Sequence, residues 1–267
     1  MARYSGQHFL INKKKIEKFV DTLDLKSSET VIEIGSGHGE ITFAVIKKLS
    51  NLVVKNFKII AIEQNKKLVE NLEFRIKNLG IKNIKIIQGD ALKILPKLIT
   101  QLPNYPITNY KLIGNIPFYI TGYLFRILAE LKNKPSLVLF FIQKEVAERI
   151  IAEPPKMNLL AASVQFWAEP KIVGYISRKE FKPMPKVDSA IIKLETKDKR
   201  QETRNAEKYY KFIKILFKQP RKTILNNLKP LAATELISQK LKLSGVSSRA
   251  RPQNLNIEQL QQLSTLF

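Results

Sequence analysis

The feature that most constrains this chain is an alternation. Apolar runs of strand length are followed, four times over, by segments of helix length. TVIEI (30–34), KIIAI (58–62), IKIIQ (84–88), 111–114 and SLVLFFI (136–142) read as five strands. Residues 38–49, 66–79, 123–131 and 144–151 read as helices. Strands apolar on both faces and separated by helices form a parallel sheet covered on both sides, because each crossover must travel back to the starting edge. Residues 171–177 and 187–195 then read as two strands with no helix between them, an antiparallel pair added at one edge. The fold class expected is α/β, a Rossmann-like, mostly parallel seven-stranded sheet.

Composition changes after Thr196. The stretch TKDKRQETRNAEK is polar and linker-like, and the tail beyond it reads as helical, with helices expected over 209–217 and 222–228, Pro220 restarting the second. Two domains are therefore expected, 1–196 and 197–267. Charge separates them too. The chain carries 46 Lys+Arg against 23 Asp+Glu, a net charge of +23. Residues 196–267 hold 15 basic and 5 acidic residues. An excess of this size points to a polyanionic partner.

The absences exclude several chemistries. With no cysteine, disulfides, thiolate metal sites, iron–sulfur clusters and thiol nucleophiles are ruled out. With His8 and His38 the only histidines, a histidine-rich metal centre is not expected. Residues 1–18 are polar and basic with no apolar core of a secretory signal. The longest apolar stretch, 112–128, is broken by Asn115, Pro117 and Arg126, so no membrane span is expected and a cytoplasmic location is.

Three strand ends carry candidate ligand groups. The turn Gly35-Ser36-Gly37-His38-Gly39 joins a strand to a helix, and glycines there let the backbone approach a ligand closely. Glu63 ends the second strand, where a carboxylate accepts from both hydroxyls of a ribose or is simply solvated. Asp90, in Gly89-Asp90-Ala91-Leu92, either accepts from the adenine amine of the same ligand or caps the next helix. Together they describe a nucleoside cradle.

The turn Asn115-Ile116-Pro117-Phe118 adds a reactive site. An exocyclic adenine amine has its lone pair delocalised into the ring. Acceptors that hold its hydrogens can turn that lone pair toward a sulfonium methyl, and an Asn oxygen with a carbonyl in a Pro-stiffened turn supplies them. Phe118 offers a face for a flipped-out base. Without cysteine, routes through a thiol adduct or a radical cluster are closed.

The stretches GQHFL (6–10), EIGSGHGEIT (33–42), GDAL (89–92), GNIPFYIT (114–121), QKEVAERI (143–150), FKPMPKVDSAII (181–192) and LFKQPRKTILNNL (216–228) resemble the small-subunit ribosomal RNA adenine dimethyltransferase family, the KsgA type, over nearly the whole chain. That resemblance implies transfer of methyl groups from S-adenosylmethionine, with no metal, to N6 of two adjacent adenosines in a hairpin near the 3′ end of small-subunit rRNA, during assembly of the small ribosomal subunit. It implies a cofactor site lined by His8, Leu10, Gly35, Gly37, Glu63, Asp90, Ala91 and Asn115, with Asn115 and Phe118 at the target base and Phe181 closing its other side. Ser36 stands where this family more often has Pro, and is commoner in the related erythromycin-resistance methylases of large-subunit rRNA; His8 replaces a frequent Asn and Phe118 a frequent Tyr. A non-catalytic assembly factor is the alternative of another class, against which intact Glu63, Asp90 and Asn115 speak. In the tail, Lys211, Lys214, Lys218 and Lys222 recur at helical steps as one charged stripe, and Lys218, Arg221 and Lys222 are the expected RNA contacts of a monomeric protein.

Overall fold

In chain order the elements of the computed structural model are β1 (Phe9–Leu10), α1 (Lys13–Asp21), β2 (Thr30–Ile34), α2 (Glu40–Asn51), β3 (Lys58–Glu63), α3 (Lys66–Asn78), β4 (Ile84–Gln88), α4 (Ala91–Thr100), β5 (Tyr110–Asn115), α5 (Thr121–Glu130), β6 (Leu137–Gln143), α6 (Lys144–Ile150), α7 (Leu159–Gln165), β7 (Ala168–Ile176), β8 (Phe181–Lys182), β9 (Ser189–Thr196), α8 (Ala206–Leu216), α9 (Ile224–Leu228), α10 (Thr234–Leu243) and α11 (Ile257–Leu266). The structure describes residues 7–26, 29–51, 57–100, 109–197 and 206–267. Gly6 of the GQHFL stretch and most of the polar stretch expected as a linker, 198–205, lie outside the described residues.

Seven strands form one sheet in the order β4-β3-β2-β5-β6-β9-β7. β4, β3, β2, β5 and β6 pair in parallel, and β9 runs antiparallel to β6. The expected mixed sheet is thus present, with the chain-order reversal between β2 and β5 that opens a crevice at the carboxyl strand ends. The central strands are apolar on both faces because both faces are covered: every residue of β2 is buried, and so are Leu137 to Ile142 of β6. The apolar core joins Phe19 and Val20 of α1, Val45 and Leu49 of α2, and Leu139 and Phe141 of β6. Phe19 stacks on Phe141 at 4.3 Å.

One close approach fixes a residue type. Gly114 pairs with Ile34 across β5 and β2, and a Cβ there would run into the Ile34 carbonyl oxygen. Only glycine lets β5 lie this close to the strand that feeds the glycine turn.

The chain divides into two compact units, one of residues 1–147 with 171–195, the other of 148–170 with 196–267. The sequence predicts a single cut after Thr196, and the extra segment 148–170 in the second unit departs from it. The reason is packing: Phe166 stacks on Tyr209 at 4.0 Å, and the Tyr209 hydroxyl donates to the Ala162 carbonyl at 3.0 Å. Lys197 N–H also donates to the Trp167 carbonyl. The second unit's core is built from Tyr209, Phe212, Ile213 and Leu216 of α8 with Leu228, Ile237, Leu241, Leu260 and Leu263, all 3% exposed or less.

The basic stripe is corrected by the same unit. α8 stops at Leu216, so Lys218 and Lys222 are off the helix that carries Lys211 and Lys214. The next helix begins at Ile224, not at 222, because Thr223 caps it by accepting from Asn226 N–H. Pro220 sits in the loop between them.

Candidate active site

The glycine turn leaves β2 at the middle of the sheet, where Gly35 N–H donates to the Ile62 carbonyl of β3 at 2.8 Å. Gly37 adopts φ +58°, and a Cβ there would lie 2.9 Å from the Phe9 ring. The turn is therefore glycine both for its left-handed backbone and for the aromatic resting on it. Phe9 in turn sits 4.4 Å from the His38 ring, and Arg75 of α3 holds the outer side, donating to the His38 carbonyl at 2.6 Å while covering Phe43.

Glu63 ends the neighbouring strand β3 and is 3% exposed. Gly37 N–H donates to its Oε2 at 2.9 Å and Asn65 N–H to its Oε1 at 2.9 Å. Two backbone donors fix the carboxylate while leaving lone pairs for further donors, the arrangement a vicinal diol requires. Gln7 reaches Oε1 as well, at 3.5 Å.

Asn115 ends β5, on the other side of β2. Its Nδ2 donates to the His8 carbonyl at 2.5 Å. That bond settles which end of the amide is which: Oδ1 is left as an acceptor without a partner among the described residues. The chain then turns, Ile116 N–H donating to the Phe141 carbonyl and Ile120 N–H to the Pro117 carbonyl, which puts Phe118 beside the His8 ring at 5.8 Å.

The third wall comes from residues far away in sequence. β1 and β8 pair antiparallel, Phe9 with Lys182 and Leu10 with Phe181. His8 Nδ1 lies 2.7 Å from the Pro183 carbonyl, which requires the proton on that nitrogen, and Asn12 donates to Glu180 at 2.9 Å. This short ribbon brings Phe181 into the same cleft.

These groups line one open cleft, whose walls include His8, Gly35, Gly37, Glu63, Asn115, Phe118 and Phe181. Seven of the residues singled out in the sequence thus meet in one place. Leu10 does not line it; it is 3% exposed and packs in the apolar core beneath. Asp90 and Ala91 follow β4 at the same sheet edge without lining the cleft, and Asp90 Oδ1 accepts from Leu92 N–H at 2.9 Å, capping α4. Gln7, Phe9, Pro185 and Ser189 line it and are absent from the expected set. Gln7 and Phe9 stand in the same GQHFL stretch as His8, the one signal that could have found them.

Beneath the turn, Glu33 is buried with Thr42 Oγ1 donating to its Oε2 at 2.5 Å, while its Oε1 has no partner. Burial pushes its carboxyl up to about 8, against the Thr42 hydrogen bond and reinforced by Glu40 and Glu63. The group carries its proton at neutral pH.

In the second unit, Asn227 is 6% exposed and organises the loop after α8. Its Nδ2 donates to the carbonyls of Gln219, Lys222 and Thr223 at 3.0–3.3 Å, and its Oδ1 accepts from Gln219 N–H. Lys218, Arg221 and Lys222 project from this loop, exposed, with no acidic partner among the described residues. Among the described residues no helix is long and apolar enough to cross a membrane, and no three potential metal ligands converge.

Comparison with known proteins gives the arrangement relatives. The profile of the Ribosomal RNA adenine dimethylase family matches residues 2–267. The Ribosomal RNA small subunit methyltransferase A of Mycoplasma capricolum is 33% identical over 270 residues, covering 99% of this chain and 97% of that protein. The protein of the same name from Dehalococcoides mccartyi is 34% identical over 261 residues, covering 97% and 85%. Among solved structures, a dimethyladenosine transferase from Plasmodium falciparum superposes with TM-score 0.75 at 24% identity, covering 96% of each chain. The 23S rRNA methyltransferase ErmE does so with TM-score 0.73 at 22%, covering 97% and 98%. At those identities the two structures speak for the fold.

Proposed function

The chain belongs to the ribosomal RNA adenine dimethylase family, and from that premise we propose that it methylates N6 of two adjacent adenosines in a hairpin near the 3′ end of small-subunit ribosomal RNA while that subunit is assembled. Two curated relatives named for the small subunit, at 33% and 34% identity, favour that substrate over the large-subunit RNA of ErmE, at 22%. The observation that carries the chemistry is the orientation of Asn115: with Nδ2 spent on the His8 carbonyl, Oδ1 is the acceptor offered to an amine.

S-adenosylmethionine, bound in the cleft, supplies an electrophilic methyl on a sulfonium sulfur. Glu63 would hold its ribose hydroxyls, the backbone of Gly35 and Gly37 would pass close beneath it, and His8 and Asn115 would flank the reacting end. Asp90 and Ala91 would border the adenine from the end of β4. The target amine would donate hydrogen bonds to Asn115 Oδ1 and to a carbonyl of the Pro117 turn, which would direct its lone pair out of the ring plane. Phe118 and Phe181 take the base between them, replacing the stacking lost when it leaves its strand. Lys218, Arg221 and Lys222 contact phosphates, so binding weakens with salt. The protein acts as a monomer in the cytoplasm; all cleft-lining residues come from one unit of one chain.

The test is methyl transfer from labelled S-adenosylmethionine to unmethylated small subunits, large subunits and free rRNA, with mass spectrometry of the nucleosides. Dimethyladenosine formed with small subunits alone is expected. Label confined to large-subunit RNA overturns the substrate. No label with intact cofactor binding replaces the enzyme with an assembly factor.

A further inference from the structure

Two tyrosines beside the cleft have no part in it. Tyr119 directly follows Phe118 and is 69% exposed; Tyr123, in the first turn of α5, is 54% exposed. The helix buries Leu124, Phe125, Ile127 and Leu128 on its other face, so packing does not need these rings. Arg126, one turn along from Tyr123, holds its guanidinium 5.7 Å from the Tyr123 ring centroid. Lys182 and Lys186 are exposed on the segment that carries Phe181 and Pro185 into the cleft. That segment is a built feature. Arg178 Nη1 donates to the Lys186 carbonyl at 3.2 Å, Arg178 N–H to Asp188 at 2.9 Å, and His8 Nδ1 to the Pro183 carbonyl at 2.7 Å.

Aromatic faces with cations interleaved are what unpaired nucleotides require, since every base has a π-face and every linkage a charge. The chain's excess of 23 positive charges favours a polyanionic ligand. An adenosine drawn into the cleft must leave its neighbour, and the neighbour loses a stacking partner at that moment. We infer that Tyr119 and Tyr123, backed by Arg126, form a platform on which the nucleotide adjoining the target adenosine stacks, with Lys182 and Lys186 taking the phosphates that flank it. The inference rests on the RNA substrate proposed above and adds to it the place of the second nucleotide. Because the strand has a fixed polarity, the platform takes the same-side neighbour of whichever adenosine is in the cleft: the partner adenosine during one methylation and the next nucleotide along during the other.

The experiment uses the full chain and a small-subunit rRNA hairpin with 2-aminopurine beside the target adenosine. Wild-type protein quenches the fluorophore by stacking. Tyr119→Ala and Tyr123→Ala lose the quench and raise the KM for the RNA about tenfold or more, with kcat and the Kd for S-adenosylmethionine unchanged. Tyr119→Trp keeps both quench and KM, whereas Tyr119→Leu, of similar bulk without a ring, behaves as the Ala variant and separates stacking from loss of packing. Undiminished quenching and KM in both Ala variants, with wild-type methylation intact, overturns the platform and leaves the proposed function standing. Wild-type label in large-subunit RNA alone overturns the substrate instead, and the same variants then test the platform through the KM for that RNA.

Discussion

In the cleft, the polar side chains are held in place by the backbone. Glu63 receives two backbone N–H groups, Asn115 is oriented by the His8 carbonyl, and the glycine turn is bonded to β3 beneath and weighted by Phe9 above. In the loop after α8 the opposite holds. There Asn227 fixes the backbone, while the Lys218, Arg221 and Lys222 side chains are left to solvent. A reacting amine tolerates little misplacement, so its acceptors are rigid; phosphates on a large RNA are numerous and mobile, so their partners can be interchangeable. Single substitutions should therefore be close to all-or-none in the first region and graded in the second.

The largest effect tests the rigid end of that contrast. Asn115→Ala should lower the methylation rate about 10²–10³-fold, the scale of removing a positioned polar group, and change cofactor affinity far less. Single-turnover transfer and calorimetry separate the two; near-normal turnover would remove Asn115 from the chemistry. Glu33 gives the next effect. Its carboxyl is near 8 when folded and 4.5 as reference, so between those values the folded chain keeps a proton that the unfolded chain has lost. Its contribution to stability is highest below pH 4.5 and falls as pH rises toward 8, by about 1.4 kcal/mol per unit. Glu33→Gln should flatten that slope in urea titrations from pH 5 to 8, and identical slopes would show that Glu33 is ionised throughout.

The graded end is sharpened by replacing Lys218, Arg221 and Lys222 one at a time. Each Ala should lower the slope of log affinity against log salt by about one for every phosphate no longer neutralised, with cofactor affinity unchanged. One residue accounting for the whole effect would break the comparison, since it would make this loop as specific as the cleft. The smallest effect is Asn227→Ala, which strips partners from the backbone of 219–223 and should cost about 1–3 kcal/mol. Faster amide exchange confined to that loop would report it, together with a modest loss of subunit affinity rescued at low salt.

Much of this is legible in the sequence, and what is not has common causes. β2 and β4 fall where the apolar runs lie, and Glu63, Asn115 and the glycine turn come together because strand ends of a parallel sheet share an edge. α1 escapes the pattern: its KKKIEKFVD is dominated by charge, although Ile16, Phe19 and Val20 bury one face. α4 has Pro96 within it, which disguises its periodicity. β1 and β8, two residues each, have no periodicity at all and exist because Phe9 and Leu10 meet Lys182 and Phe181 from the far end of the unit. The start of α9 differs from the expected one because Pro220 looks like a first-turn proline, whereas Thr223 supplies the capping oxygen. Leu10 enters the expected cofactor set by its motif alone, and its apolar side chain goes to the core.

The division of the chain has a consequence for how the protein is made. Because residues 148–170 belong with 196–267, the polypeptide crosses from one unit to the other three times. On the ribosome, Ala162 must await Tyr209, 47 residues later, while the last strands of the sheet are synthesised in between. Until then the face of Phe166 that Tyr209 covers in the finished protein is bare, a window in which an apolar nascent segment is open to wrong partners. A gene shortened after Thr196 would make that window permanent, so the catalytic sheet cannot be obtained as a clean fragment by deleting the tail alone.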